Sequence, residues 1–326
     1  MRAREMETTS MQFRDVIRQW RVKGLIQQFL SLMPAGERIN DRLQSTVGDL
    51  RNFEGNIGLK VSDWTGIMAY LREVRRNNLE GQTVLEIGTG WYPTLPVCFA
   101  LAGARCIYTV DLTPHLNAQQ TLRMLNALEP QLGRIAEFSG RQPAAVEQTY
   151  EQLRKAGNLK RLLEVANIRY HAPQDAANLD WMPAGSVDIV YSNSVFEHVV
   201  PSVIPVIMRE AWRVLQNNGL MVHAVACNDH YAHFDKRISF INYLQYSDRQ
   251  WRLWNNRLNY QNRLRAPEFI KFAKDCGFRI LHEARAIRPG TREALSKIRL
   301  APEFTGYSPD DLAATTVDFV AAKTVQ

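Results

Sequence analysis

The chain has 326 residues, 45% of them hydrophobic, with 40 Lys and Arg against 33 Asp and Glu. That length and apolar content support one large domain or two modest ones with a real core, and exclude a disordered or fibrous chain. No run reaches the ~20 apolar residues of a membrane span, and Met1 to Ser10 has no signal-peptide core, so a cytoplasmic protein without a transmembrane segment is expected.

The basic excess is local: residues 227–300 carry 15 basic and 7 acidic groups, whereas residues 83–226 carry 11 and 12. A nucleic-acid footprint over the whole protein is therefore not expected. Cys98, Cys106, Cys227 and Cys276 show neither a paired spacing nor a Cys-x-x-Cys, which predicts buried free thiols and no disulfide or structural zinc framework.

In chain order, residues 11–77 read as helices. Phe13, Val16, Ile17 and Trp20 recur at helical spacing, as do Trp64, Ile67, Met68, Leu71 and Val74 after a Ser62-Asp63 start signal. From Thr83 the pattern alternates between strand and helix. Strands are predicted at Thr83–Gly88, Cys106–Asp111, Ile168–Ala172, Val187–Ser192 and Gly219–Ala226, with helices at Pro93–Ala102 and Pro201–Leu215. The long segment from about Asn117 to Val165 is helical in composition and reads as an insertion. Residues 227–262 break the rhythm with a helical stretch dense in Tyr, Trp, Asn, Arg and His. A helix at Pro267–Cys276 and strands at Arg279–Ile287 and Thr315–Lys323 close the chain. Repeated strand–helix units imply a mostly parallel sheet covered on both faces.

The boundaries that follow are an N-terminal helical extension (1–81), a strand–helix core (82–226, with its helical insertion at about 117–165), a helical insertion (227–265), and a C-terminal helix and strands that complete the core sheet (266–326). The extension is either a lid over the site or a homodimerisation element.

The most informative stretch is Val84-Leu-Glu86-Ile-Gly88-Thr89-Gly90-Trp-Tyr-Pro93. A strand turning into a helix through glycines lets backbone approach a ligand closely. Asp111 closes the next strand, where a carboxylate can accept from both ribose hydroxyls of a nucleotide. Two details of the dinucleotide fingerprint are missing: its third glycine is Pro93, and Glu86 stands where an apolar residue is usual. That weakens the alternative of an NAD(P)-dependent oxidoreductase.

With Asp175 after the third strand, Asp188 to His198 over the fourth and Arg209 to Gly219 leading into the fifth, this ordered set resembles the class I S-adenosylmethionine-dependent methyltransferases. The resemblance covers roughly residues 82–226 plus the closing strands. It implies an α/β, Rossmann-like, seven-stranded sheet with the last strand antiparallel, and S-adenosylmethionine as cofactor. Carried over by position, Glu86 orients water or the methionine amino group, and Gly88, Thr89 and Gly90 pass under the methionine moiety. Asp111, with Leu112 beside it, holds the ribose. Asp175 and Ala176 face the adenine, and Asn193 lines the methionine side.

An acceptor hydroxyl or protonated amine needs a general base. His198, behind Glu197, is the first candidate. Glu197-His198 resembles a Glu-x-x-Glu-His metal cluster of ubiquinone-pathway O-methyltransferases, but its first Glu is Ser194 here, so no metal is assigned. His230 is the second candidate base, on the loop His230-Tyr231-Ala-His233-Phe-Asp235. Tyr231, His233 and Asp235, with Tyr243 and Trp251 further on, are candidate acceptor contacts. Arg249, Arg252, Arg257, Arg263 and Arg265 surround them, and guanidinium forks suit an anionic small-molecule acceptor. The pattern Asp229-His-Tyr, Ile238-Ser, Asn242-Tyr-Leu, Tyr246-Ser, Trp251, Asn256-Arg-Leu resembles bacterial methyltransferases of glycan or specialised-metabolite pathways. Methyl transfer to an O or N atom of a small-molecule or sugar-like acceptor is expected. An RNA or DNA methyltransferase is the alternative, but Ser192-Asn-Ser-Val lacks the Asn/Asp-Pro-Pro-Tyr motif of base-modifying enzymes.

Overall fold

The computed structural model describes residues 19–33, 53–74 and 79–324. The predicted helical positions Phe13, Val16 and Ile17 lie outside them. Within the described residues the helices before the sheet are α1 (Trp20–Ser31) and α2 (Phe53–Val74). Helix α2 buries Phe53, Ile57, Val61, Trp64, Ile67, Met68 and Leu71, a stripe at three- and four-residue spacing. Ser62 and Asp63 therefore lie inside this helix and do not start it. The Ser62 hydroxyl donates back to the Gly58 carbonyl at 3.0 Å, which lets a capping residue type persist mid-helix.

The alternation that follows is β1 (Thr83–Ile87), α3 (Thr94–Leu101) and β2 (Cys106–Val110). Every residue of α3 is buried, as an all-apolar run covering a sheet should be. The insertion is four helices: α4 (Ala118–Leu128), α5 (Leu132–Ser139), α6 (Pro143–Arg154) and α7 (Leu159–Val165). Asn117 and Asn158 cap α4 and α7 by accepting from Gln120 N and Arg161 N. Then come β3 (Ile168–His171), β4 (Val187–Asn193), α8 (Ile204–Val214), β5 (Leu215–Ala226), β6 (Phe278–Ala286) and β7 (Thr316–Lys323). Strand β5 begins four residues before the expected Gly219.

The seven strands form one sheet in the order β3-β2-β1-β4-β5-β7-β6. Neighbours from β3 to β5 are parallel. Thr315 N bonds Ala286 O at one end of β7, and Thr324 N bonds Gly277 O at the other, so β7 runs against β6. The last strand is antiparallel, as in the Rossmann-like sheet of methyltransferases. Val84, Leu85, Ile107, Val110, Ile189 and Val190 make the sheet's core.

The chain divides into two compact units. The sheet unit comprises residues 51–225, 268–284 and 317–326, and the second unit comprises residues 1–50, 226–267 and 285–316. The second unit has its own core of Trp20, Tyr231, Ile241, Tyr243, Leu244, Trp251, Ala301, Phe304 and Leu312. Its 227–262 stretch, expected to be helical, is instead mostly irregular chain. It holds one-turn helices at Tyr231–Phe234 and Asp248–Trp251 and a 3-10 turn at Asn242–Gln245.

Side chains replace the missing backbone ladder there. The guanidinium of Arg265 is fully buried and donates to the carbonyls of Cys227 (2.7 Å), Asp311 (3.0 and 2.9 Å), Leu312 (3.1 Å) and Ala314. Buried Arg263 donates to the carbonyls of Tyr243 (2.9 Å) and Tyr246. The thiols are free; Cys98, Cys106 and Cys227 are buried, while Cys276 is half-buried.

Candidate active site

The turn after β1 is built from two left-handed glycines. Gly88 has φ +86°, and a Cβ there would lie 2.4 Å from Val195 Cγ2, so conformation and space both demand glycine. Gly90 has φ +70°, yet nothing lies within 4 Å of where its Cβ would be. The backbone at Gly90 therefore borders open space. Gly90 N donates to Asp111 Oδ2 at 2.9 Å, and Asp111 Oδ1 accepts from Thr113 N at 3.2 Å. Each carboxylate oxygen keeps acceptor capacity for a further donor. Leu112 is exposed beside it.

The turn after β3 is pinned to the same place. Asp111 N donates to His171 O at 3.1 Å and Gln174 N to Asp111 O at 2.8 Å. That sets Asp175 and Ala176 next to Asp111. Asp175 is exposed and accepts from Ala177 N at 2.8 Å, while Ala176 is buried. Trp91, which departs from the common third-glycine pattern, stacks on His115 with ring centroids 4.9 Å apart. A left-handed glycine turn open to space, with a carboxylate facing it, fits a nucleoside-bearing cofactor.

Glu86 lies buried inside the sheet. Its Oε2 accepts from the Thr109 hydroxyl at 2.6 Å and its Oε1 from the Tyr191 hydroxyl at 2.9 Å. Burial pushes its carboxyl up to about 7, against these two bonds and Lys60, which lower it. Thr89, between the glycines, is buried with its hydroxyl against that of Thr109.

Beyond β4, Asn193 Nδ2 donates to Asp63 Oδ2 of α2 at 3.0 Å. Ser194 follows at φ +56°, and a 3-10 turn spans Phe196–His198. Glu197 is buried and His198 exposed on this turn. Two residues here carried no signal strong enough to single them out. Asp63 was hidden in an apparent helix start. His223, in the middle of β5, is buried with Nδ1 2.7 Å from Ser192 Oγ and with Phe196 and Phe319 beside its ring. Burial drives its pKa down to about 3, so it is a neutral imidazole.

The remaining candidates belong to the second unit, and most of them are structural there. The Tyr243 hydroxyl donates to Cys227 O at 2.8 Å and accepts from Arg265 at 2.5 Å, and Trp251 packs in the same core. Both of these candidate acceptor contacts are buried side chains. The Tyr231 hydroxyl donates to Trp254 O at 2.8 Å. Asp235 accepts from Trp20 N at 3.1 Å and from Arg237, whose guanidinium holds its carboxyl down at about 2. His233 Nε2 lies 3.0 Å from Asn228 Oδ1, and His230 N donates to Gln261 Oε1 at 3.2 Å. Of the five arginines, Arg249, Arg252 and Arg257 are exposed, whereas Arg263 and Arg265 are internal.

The chain belongs to a family of methyltransferase domains, whose model matches residues 65–283, more than half of its length. It is an S-adenosylmethionine-dependent methyltransferase. Among solved structures it is similar to a candidate sarcosine dimethylglycine methyltransferase from Galdieria sulphuraria (17% identity, 82% of this chain and 86% of that one, TM-score 0.43). It is also similar to geranyl diphosphate C-methyltransferase from Streptomyces coelicolor A3(2) (14%, 82% and 81%, 0.45). A third is an S-adenosylmethionine-dependent methyltransferase from Mesorhizobium loti (15%, 78% and 95%, 0.44). At these similarities none of the three bears on this chain's acceptor. No curated protein matches the sequence. Among the described residues no helix is long and apolar enough to cross a membrane.

Proposed function

We propose that this methyltransferase acts on an O or N atom of a small-molecule or sugar-like acceptor, in glycan or specialised-metabolite biosynthesis. The observation that carries this reading is His198. It is exposed on the short turn directly after β4, at the carboxyl edge of a parallel strand, where doubly wound sheets gather ligands. An acceptor hydroxyl or protonated amine must lose a proton, and an exposed imidazole is a side chain that can take it. His230 is the second candidate base by its place after β5.

When bound, S-adenosylmethionine supplies an electrophilic methyl on a sulfonium. The chain's residues bind and align it: Gly88, Thr89 and Gly90 under the methionine moiety, Asp111 with Leu112 at the ribose, Asp175 and Ala176 at the adenine, and Asn193 on the methionine side. Alignment and exclusion of water supply much of the rate in such transfers. An anionic acceptor would draw on the exposed Arg249, Arg252 and Arg257.

Isothermal titration with S-adenosylhomocysteine, followed by turnover on an acceptor panel, tests both halves. Asp111→Ala should abolish binding, whereas His198→Ala should spare binding and lower turnover about a hundredfold. Normal turnover by His198→Ala would remove the base assignment.

A further inference from the structure

Beneath the glycine turn lies a row of polar side chains that packing alone does not call for. Glu86 on β1 is in register with Thr109 on β2 and with Tyr191 on β4. The three side chains meet within the sheet, and all are out of water, at 4%, 0% and 0% exposure. Valine, leucine and phenylalanine would fill these places at less cost, since a buried carboxylate is expensive unless it serves a partner.

The donor and acceptor roles imply what the row is connected to. Tyr191 donates its one hydroxyl proton to Glu86 Oε1, and Thr109 donates its one proton to Oε2. Thr109 Oγ1 can then only accept from its other neighbour, so the Thr89 hydroxyl is the donor between those two oxygens. The chain runs Thr89 to Thr109 to Glu86, with every proton pointing towards the carboxylate. Thr89 is the residue between the two left-handed glycines. Two residues beyond Thr109, Asp111 accepts from Gly90 N. Consecutive residues of the turn are thus tied to two groups of the β2 segment, one through a side chain and one through the backbone.

We propose that Thr109 and Tyr191 are positioning residues for methyl transfer: with Glu86 they set the direction of a hydroxyl chain that ends on Thr89 and holds the glycine turn ready for the cofactor. This rests on the turn being the cofactor cradle. A proton added to Glu86 makes one of its oxygens a donor. Donation to Thr109 would turn the Thr109 proton towards Thr89 and release the Thr89 proton from the sheet, reversing the chain. The charged and titratable groups that face Glu86 are Tyr191 from β4, Lys60 from α2 and Asp111 at the end of β2, with Cys98 of α3 behind Tyr191. Glutamine at position 86 removes the titration and, with its amide nitrogen towards Thr109, reproduces the reversed polarity.

The test is isothermal titration of S-adenosylhomocysteine into the full chain between pH 6 and pH 8.5. Thr109→Val, which keeps the volume but strands Glu86 Oε2, should weaken binding about tenfold and also lower the melting temperature of the unliganded protein, and Thr109→Ser should restore both. Tyr191→Phe keeps the ring against Phe99 and should weaken binding about threefold, so it reports on the same chain if Thr109→Val folds poorly. The wild type should lose affinity on acidification through about pH 7, and Glu86→Gln should bind weakly at every pH. Wild-type affinity in both Thr109→Val and Tyr191→Phe, or an unaltered pH profile in Glu86→Gln, would overturn the proposal. Asp111→Ala separates the two levels. If it also binds normally, the cradle itself is misplaced; if it alone loses binding, only the hydroxyl chain is wrong.

Discussion

The two units of this enzyme satisfy their backbones in different ways. In the sheet unit, parallel strands pair with one another, which leaves polar side chains at the strand ends available to a ligand. In the second unit, irregular chain is held by Arg265, Arg263, Asn228 and Gln261, whose polar groups are bonded to neighbouring carbonyls. Polar side chains thus stand at open strand ends in one place and serve as scaffolding in the other. A surplus of arginine in sequence does not tell these roles apart, because both need hydrogen-bonding side chains.

Four perturbations bear on that contrast. The largest effect is expected for Arg265→Lys. A lysine ammonium cannot reach four carbonyls as a fork does, so buried acceptors are stranded and stability should fall by about 3 kcal/mol or more. Urea unfolding measures this, and a loss below about 0.5 kcal/mol would mean the second unit does not depend on side-chain scaffolding.

Next, Gly88→Ala should cost about 3 kcal/mol, combining a left-handed backbone with a clash against Val195, whereas Gly90→Ala should cost about 1 kcal/mol from conformation alone. Calorimetric melting of both variants checks the difference. Equal losses would show that the turn is governed by backbone conformation and not by space.

A smaller effect is the pH dependence of stability. Burial raises Glu86 in the sheet unit and Asp229 in the second unit to about 7 each, from ordinary values of 4.5 and 3.8. A raised carboxyl binds protons more tightly in the folded state, so its contribution is complete below the ordinary value and is lost as pH rises through about 7. Stability should therefore decline between about pH 4 and pH 7, by on the order of 1 kcal/mol per pH unit for each group. Glu86→Gln and Asp229→Asn should each flatten part of that decline in urea titrations across the range.

The smallest is Arg252→Glu, an exposed change that should alter stability by less than about 0.5 kcal/mol. If the exposed arginines meet an anionic acceptor, the same variant should raise KM and leave kcat unchanged.

Much of the sheet unit was legible because its signals are periodic or conformational. Short apolar runs marked the strands, and Gly88, Gly90 and Asp111 marked the turn, since few residues tolerate a left-handed backbone or repay a carboxylate at a strand end. Ser62-Asp63 misled because a serine hydroxyl bonds equally well to a carbonyl one turn back. His223 escaped notice because a single histidine in an apolar strand has no pattern to declare its partner. The second unit was hard to read for the same reason throughout. The bonds of Arg265 to backbone carbonyls join residues 38 to 49 positions apart, and no local spacing encodes such a bond.

The place of β7 has a consequence for how the protein is made. It follows β5 and β6 in the chain, yet it lies between them and not at a margin of the sheet. Until it is synthesised, β5 and β6 lack their shared partner and expose unpaired backbone of the kind that seeds association between chains. The sheet stays incomplete until Thr316–Lys323 has joined it, and a chain truncated before Thr316 should be insoluble rather than a shortened enzyme.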